Sequence, residues 1–116
     1  MSKIKTKITI HNKEINSTFE TTAIVTDNKI KYYENENTLV IFDYNKNHLV
    51  RKNNELEMEY LFDENQETLG KIKIIELEKK LEIIIKTNKI RRNSWNIRVE
   101  FQIENNPFIY EIEEIK

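Results

Sequence analysis

Arg51, Tyr60, Trp95 and Tyr110 are the side chains of this sequence with most to offer a ligand. Each lies on a run whose neighbours two places away are apolar: Leu49 before Arg51, Met58 and Phe62 about Tyr60, Ile97 after Trp95, and Phe108 and Ile112 about Tyr110. In an extended chain, positions two apart share a face. Should those faces close around one interior, aromatic walls and one guanidinium form a pocket for a small anionic or amphipathic ligand. The same aromatics have a plainer use, filling a core and hydrogen-bonding at its rim. Arg51 is the sharper case, because a guanidinium on a core face must be paired or bind something. With Val50 taking the inward place, it would point to solvent instead. Thr6, Ser17 and Thr21 are further polar residues on otherwise apolar faces.

A second constellation is Lys86, Lys89, Arg91, Arg92, Trp95 and Arg98, a basic stretch with one aromatic. Stacking combined with positive charge is what single-stranded nucleic acid needs. A solvated loop and strand face is the simpler explanation of the stretch. The balanced charge of the whole chain and the place of Trp95 on an apolar face both argue against nucleic acid. Catalytic groupings are not found. His11 and His48 stand at the edges of turns with no ligand-spaced partner. No serine sits in a nucleophile elbow, and one glycine cannot make a phosphate loop. Glu57, Glu59, Glu100, Glu111 and Glu113 fall on polar strand faces, where solvation accounts for them. The chain reads as a non-enzyme, with no cofactor, no metal and no catalytic residue expected.

Composition sets the frame. The 116 residues suit a single domain, 1–116. A chain of this size buries roughly two thirds of its unfolded surface, enough for a core without staples. The absence of cysteine excludes disulfides and thiolate metal sites. With 19 basic and 20 acidic residues, the net charge of −1 gives no global field to gather nucleic acid or acidic membrane. The first residues hold no apolar leader and no stretch approaches a membrane span, so a cytoplasmic location is expected. Gly70 is the lone glycine and Pro107 the lone proline, so asparagine is expected to serve the turns, being tolerant of the left-handed region.

The elements that would position these residues are short strands. Period-two alternation marks residues 3–11, 15–26, 30–33, 38–44, 48–52, 56–62, 94–104 and 108–115. Residues 71–92 are ambiguous. Leu77, Leu81, Ile84 and Ile85 fit a helical stripe, but the β-branched run Ile83-Ile84-Ile85 and the lack of an N-cap favour strands at 70–75 and 80–87, with a turn at Glu78-Lys79 and a basic loop at 87–93. Residues 38–44 carry apolar side chains on both faces, as a strand near an interface would. About ten short strands separated by turns point to an all-β, antiparallel, up-and-down barrel. A barrel of about eight strands has room for side chains or one small ligand.

The order Leu49-Val50-Arg51-Lys52, Glu55, Met58, Phe62, Thr68, Gly70 and Leu81-Glu82-Ile83 resembles the YwiB-like bacterial proteins, small calycin-fold (lipocalin-like) β-barrels. Where such proteins carry a Thr-Pro-Tyr-Gly-like turn, this chain has Glu67-Thr68-Leu69-Gly70, so only Thr68 and Gly70 carry over. The resemblance implies a barrel with an internal pocket and no catalytic residues. The expectation is a module binding a small, partly apolar ligand through Arg51, Tyr60, Trp95 and Tyr110. A pocketless interaction or dimerisation module, or weak RNA binding through residues 86–98, is the alternative.

Overall fold

In the computed structural model, which describes residues 2–116, every regular element is a strand. They are β1 Ser2–His11, β2 Asn16–Thr26, β3 Lys29–Asn35, β4 Thr38–Asp43, β5 His48–Lys52, β6 Leu56–Leu61, β7 Thr68–Ile74, β8 Lys79–Asn93, β9 Asn96–Ile103 and β10 Asn106–Glu114. Each pairs antiparallel with its neighbours in sequence, and β1 closes on β10, giving one up-and-down barrel of ten strands. Closure leaves no terminal edge strand, which matters for a chain with so many β-branched residues.

Alternation fixes which side chains enter. Thr6 and Ile8 of β1, Ala23 and Val25 of β2, Ile30 and Tyr32 of β3, Val40 and Phe42 of β4, and Ile97, Val99 and Phe101 of β9 are buried. The charged residues between them point outward, where Glu57 faces Lys73 and Lys7 faces Glu20 and Glu113. Opposite charges side by side on adjacent strands stabilise the outer surface modestly.

The turns use two devices. Asx turns dominate: Asn12 Oδ1 accepts from the amides of Glu14 and Ile15, Asn53 Oδ1 from Glu55 and Leu56, and Asn35 Oδ1 from Asn37. The left-handed positions go to Asp27, Asn47, Glu78, Ser94, Glu104 and Asn105. Asparagine therefore replaces glycine chiefly by side-chain hydrogen bonding, and only Asn47 and Asn105 do so by backbone conformation. Gly70 has no positive φ. Its role is to leave space for neighbouring side chains.

Three boundaries differ from expectation. The passage 79–93 is one long strand: the β-branched run holds it extended, and a bulge between Thr87 and Lys89 lets alternation resume through Ile90, so no basic loop forms. Trp95 lies in the β8–β9 turn, because Ser94 has a φ of 57° and β9 starts at Asn96. Strand β3 runs on to Asn35 through a bulge between Tyr33 and Asn35, which brings Glu34 out of the expected turn and into the barrel wall.

Candidate functional site

Arg51 faces inward. In the register Val40–Arg51–Met58 it stands between two apolar side chains, while Val50 pairs with Ile41 and Glu59 on the outer face. Its guanidinium meets Glu34 in a two-point contact, Nε donating to Oε1 at 2.9 Å and Nη2 to Oε2 at 2.8 Å. The Glu34 hydrogen bond raises the Arg51 pKa beyond its usual high value. Both side chains are part-exposed, 30% for Arg51 and 14% for Glu34, so the pair marks the solvent side of the site. Bidentate pairing fixes the guanidinium plane as well as its position. A sulfur contact to Met58 Sδ at 4.0 Å is the other contact made by the guanidinium.

Beneath the pair lies a cavity of about 150 Å³. Its walls include Val40, Leu49, Met58, Phe101 and Phe108, with Tyr32, Tyr60 and Tyr110 among them. Phe101 bridges the aromatic wall, stacked on Phe108 with centroids 5.3 Å apart and tilted against Phe62 at 4.9 Å. The hydroxyls of Tyr32 and Tyr110, both buried, are 2.6 Å apart. Burial pushes the pKa values of Tyr32 and Tyr110 well above the ordinary tyrosine range, and that of Tyr60 upward too. All three hydroxyls are protonated at neutral pH.

The ring of Tyr60 occupies space that Gly70 leaves open. A Cβ on Gly70 would lie 3.1 Å from Tyr60 Cδ1 and 2.9 Å from side-chain carbons of Ile83 and Ile85. The single glycine thus sits on the inner face of β7 where a larger residue would push Tyr60 aside.

The structure brings Arg51, Tyr60 and Tyr110 around one cavity and places Trp95 elsewhere. Trp95 packs edge-on against Tyr44, with centroids 4.9 Å apart, and its carbonyl accepts from the Tyr44 hydroxyl at 2.9 Å. Arg92 donates to the Tyr44 carbonyl in the same cluster. Phe42 follows, 5.2 Å from the Tyr44 ring. These residues belong to the barrel end where the β4–β5 and β8–β9 turns lie, opposite the end to which Glu34 and Arg51 belong. Thr6 is also structural, donating to the Thr21 carbonyl at 2.9 Å.

Two residues of the site, Glu34 and Tyr32, do not figure in the sequence expectation. A signal for both exists: Ile30, Tyr32 and Glu34 are spaced by two, and an inward Arg51 needs a carboxylate. The basic stretch forms a wide groove of about 550 Å³ on the outside of β8, β9 and β10, lined by Arg91, Arg92, Arg98 and Glu111 among others. There Arg98 lies 3.7 Å from Glu100 and 3.5 Å from Glu111, so part of its charge is offset within the sheet. The groove is larger than the internal cavity but open and mixed in charge, and Trp95 is engaged with Tyr44. The smaller hollow under Arg51 and Glu34, walled by aromatic side chains, is the better-formed site.

No family model and no curated protein matches this chain. Among solved structures it is similar to the ywiB protein from Bacillus subtilis, whose crystal structure superposes with a TM-score of 0.59 at 16% identity, covering 98% of this chain and 91% of that one. At this identity the likeness is one of fold: the two chains share the β-barrel over nearly their whole length.

Proposed function

We propose that the chain is a cytosolic, non-catalytic binding module of the YwiB-like, calycin type, holding a small, partly apolar ligand inside the barrel. The carrying observation is the arginine turned into an otherwise apolar hollow: Arg51, aligned by Glu34, over a cavity of about 150 Å³ walled by Tyr60 and Tyr110. Apolar walls with a few convergent polar groups are the usual make-up of a small-molecule site. A cavity of about 150 Å³ accepts a benzene-sized body. The test is a metabolite screen by thermal shift, run on the parent and on Arg51→Ala. Binding predicts a raised melting temperature for a subset of compounds that the variant reduces. A screen with no hit, together with a filled interior, removes the reading.

A second reading draws on the outer face of β3 to β5. There Tyr33, which is 55% exposed, pairs with Leu39, and Ile41 pairs with Val50. An apolar strip of this kind suits association with a second copy. Light scattering during size exclusion discriminates: a dimer supports this reading, and a monomer at high concentration argues against it.

A further inference from the structure

Three large apolar side chains stand side by side on the outside of the barrel. Leu61 on β6, Leu69 on β7 and Ile84 on β8 are 41%, 53% and 56% exposed. Leu69 pairs with Ile84 across the β7–β8 ladder. Glu59 pairs with Lys71 across β6–β7, and two places further along each strand Leu61 comes beside Leu69. Ile15 and Leu77, also exposed, stand singly outside the strands. Single exposed apolar residues are ordinary, whereas a contiguous row on an outer face marks a contact surface.

Charge says what covers it. Next to the row, β6 points two acids outward, Glu57 and Glu59, and β7 points two bases, Lys73 and Lys71. These four are cross-strand neighbours, yet among the described residues none joins an ion pair. The pairs that do form belong to Glu34 with Arg51 and to Arg98. An acidic column beside a basic column, matched in height, is complementary to itself under a two-fold rotation. With the axis lying along the strands between β6 and β7, a second copy sets its Glu57 over Lys73, its Glu59 over Lys71 and its Leu61 over Leu69. Each contact occurs twice. The flanking strands follow, because His48 pairs with Leu61 and Ile84 with Leu69, so Ile84 of the second copy comes over His48. A groove of about 290 Å³ lies there, lined by Lys46, His48, Leu61 and Leu69 among others. At the margin Lys52 falls over Lys80, where solvent screens the repulsion.

We infer that the outer face of β6 to β8 is a contact with a second copy of this chain, joined about a two-fold axis along the β6–β7 hairpin. The Leu61–Leu69–Ile84 row supplies the apolar contact, and the Glu57–Glu59 and Lys71–Lys73 columns set the register. This face is distinct from the β3–β5 strip and does not depend on the cavity. Four strands about 4.8 Å apart and three outward rows about 7 Å apart give roughly 400 Å² of sheet per copy, half the usual share of a stable interface. The dimer is therefore transient and forms at high protein concentration.

Sedimentation equilibrium of the full chain, up to millimolar concentration, tests this, with thermal unfolding of each variant as the check on folding. The parent is expected to self-associate, and less so as salt rises. Glu59→Lys and Lys71→Glu each weaken association about ten-fold, because symmetry makes one substitution act at two contacts worth a factor of roughly three apiece. An equimolar mixture of these two variants associates again, since every contact across the axis then joins opposite charges. The double exchange Glu59→Lys/Lys71→Glu in one chain, which keeps the net charge, associates like the parent. Leu69→Ser weakens the dimer and Tyr33→Ser leaves it unchanged. If Leu69→Ser does not fold, the charge variants decide alone. A dimer that Tyr33→Ser dissolves and Leu69→Ser leaves intact overturns the inference and assigns the contact to the β3–β5 strip. A mixture no more associated than either variant alone overturns it as well. A parent that stays monomeric at millimolar concentration overturns both copy-to-copy readings and leaves the cavity reading standing.

Discussion

Arg51 reaches Glu34 across the β3–β5 wall of the barrel with two hydrogen bonds, 2.9 and 2.8 Å long, from residues 17 positions apart in the chain. Glu34 gets there by the alternation that also turns Ile30 and Tyr32 inward, at the point where the β3–β4 ladder shifts register between Tyr33 and Asn35. The pair is neither a surface ion pair nor a buried one, and its energetics should fall between the two.

Removing one partner leaves the other inward and unpaired. Glu34→Leu is expected to destabilise the fold by about 1–3 kcal/mol, discounted from the fully buried case because both groups are part-exposed. Combining it with Arg51→Met should cost less than the sum of the single changes. Denaturant unfolding of the four proteins of this cycle checks the coupling. Additive losses would mean that the two side chains do not interact in solution.

Gly70 makes a second case. Gly70→Ala places a methyl within van der Waals overlap of Ile83 and Ile85 and against Tyr60. Overpacking of this kind costs about 1–3 kcal/mol. The same change shifts Tyr60 into the cavity, so a drop in ligand affinity should accompany the lowered unfolding midpoint. An unchanged midpoint would show that the inner face of β7 is looser than described.

Alkaline pH should unfold the protein earlier than its charge balance suggests. Tyr32, Tyr44, Tyr60 and Tyr110 all have pKa values raised by burial above the ordinary value of 10.0. Below the unfolded-state pKa both states keep the protons and the contribution is constant. Above about pH 10 the unfolded chain loses them while the folded chain holds them, so stability falls as pH rises toward the folded values. Unfolding free energies between pH 8 and 11.5, with tyrosinate absorbance followed in parallel, check this. The four tyrosines should ionise with unfolding rather than before it.

The far end of the barrel should behave as a separate unit. Tyr44→Phe removes the hydroxyl that donates to the Trp95 carbonyl and is expected to cost about 1 kcal/mol. Its effect on ligand affinity should be negligible, since neither Tyr44 nor Trp95 lines the cavity. Chemical unfolding of the variant and a repeat of the thermal-shift screen suffice to measure both.

How far the sequence carried depended on how local each signal was. Period two over residues such as Ile97, Val99 and Phe101 needs no partner to be read, and the up-and-down barrel follows from it. Arg51 and Tyr110 were visible as polar residues on apolar faces for the same reason. The shifts in register were not visible. Ending β3 at Tyr33 left Glu34 in an apparent turn although it continues the face of Ile30 and Tyr32, and the bulge beyond Thr87 made a regular strand look like a basic loop. Trp95 followed the alternation of β9 on paper, but the left-handed Ser94 takes it out of the strand. Such positions are set by pairing with distant strands, which alternation alone does not encode.

The most direct measurement is a crystal of the protein pressurised with xenon, which enters apolar cavities of this size. A xenon peak among Val40, Tyr60 and Tyr110, beneath the Glu34–Arg51 pair, is the expected result. An interior without a peak, with Tyr60 and Tyr110 packed together across the space, would contradict the account.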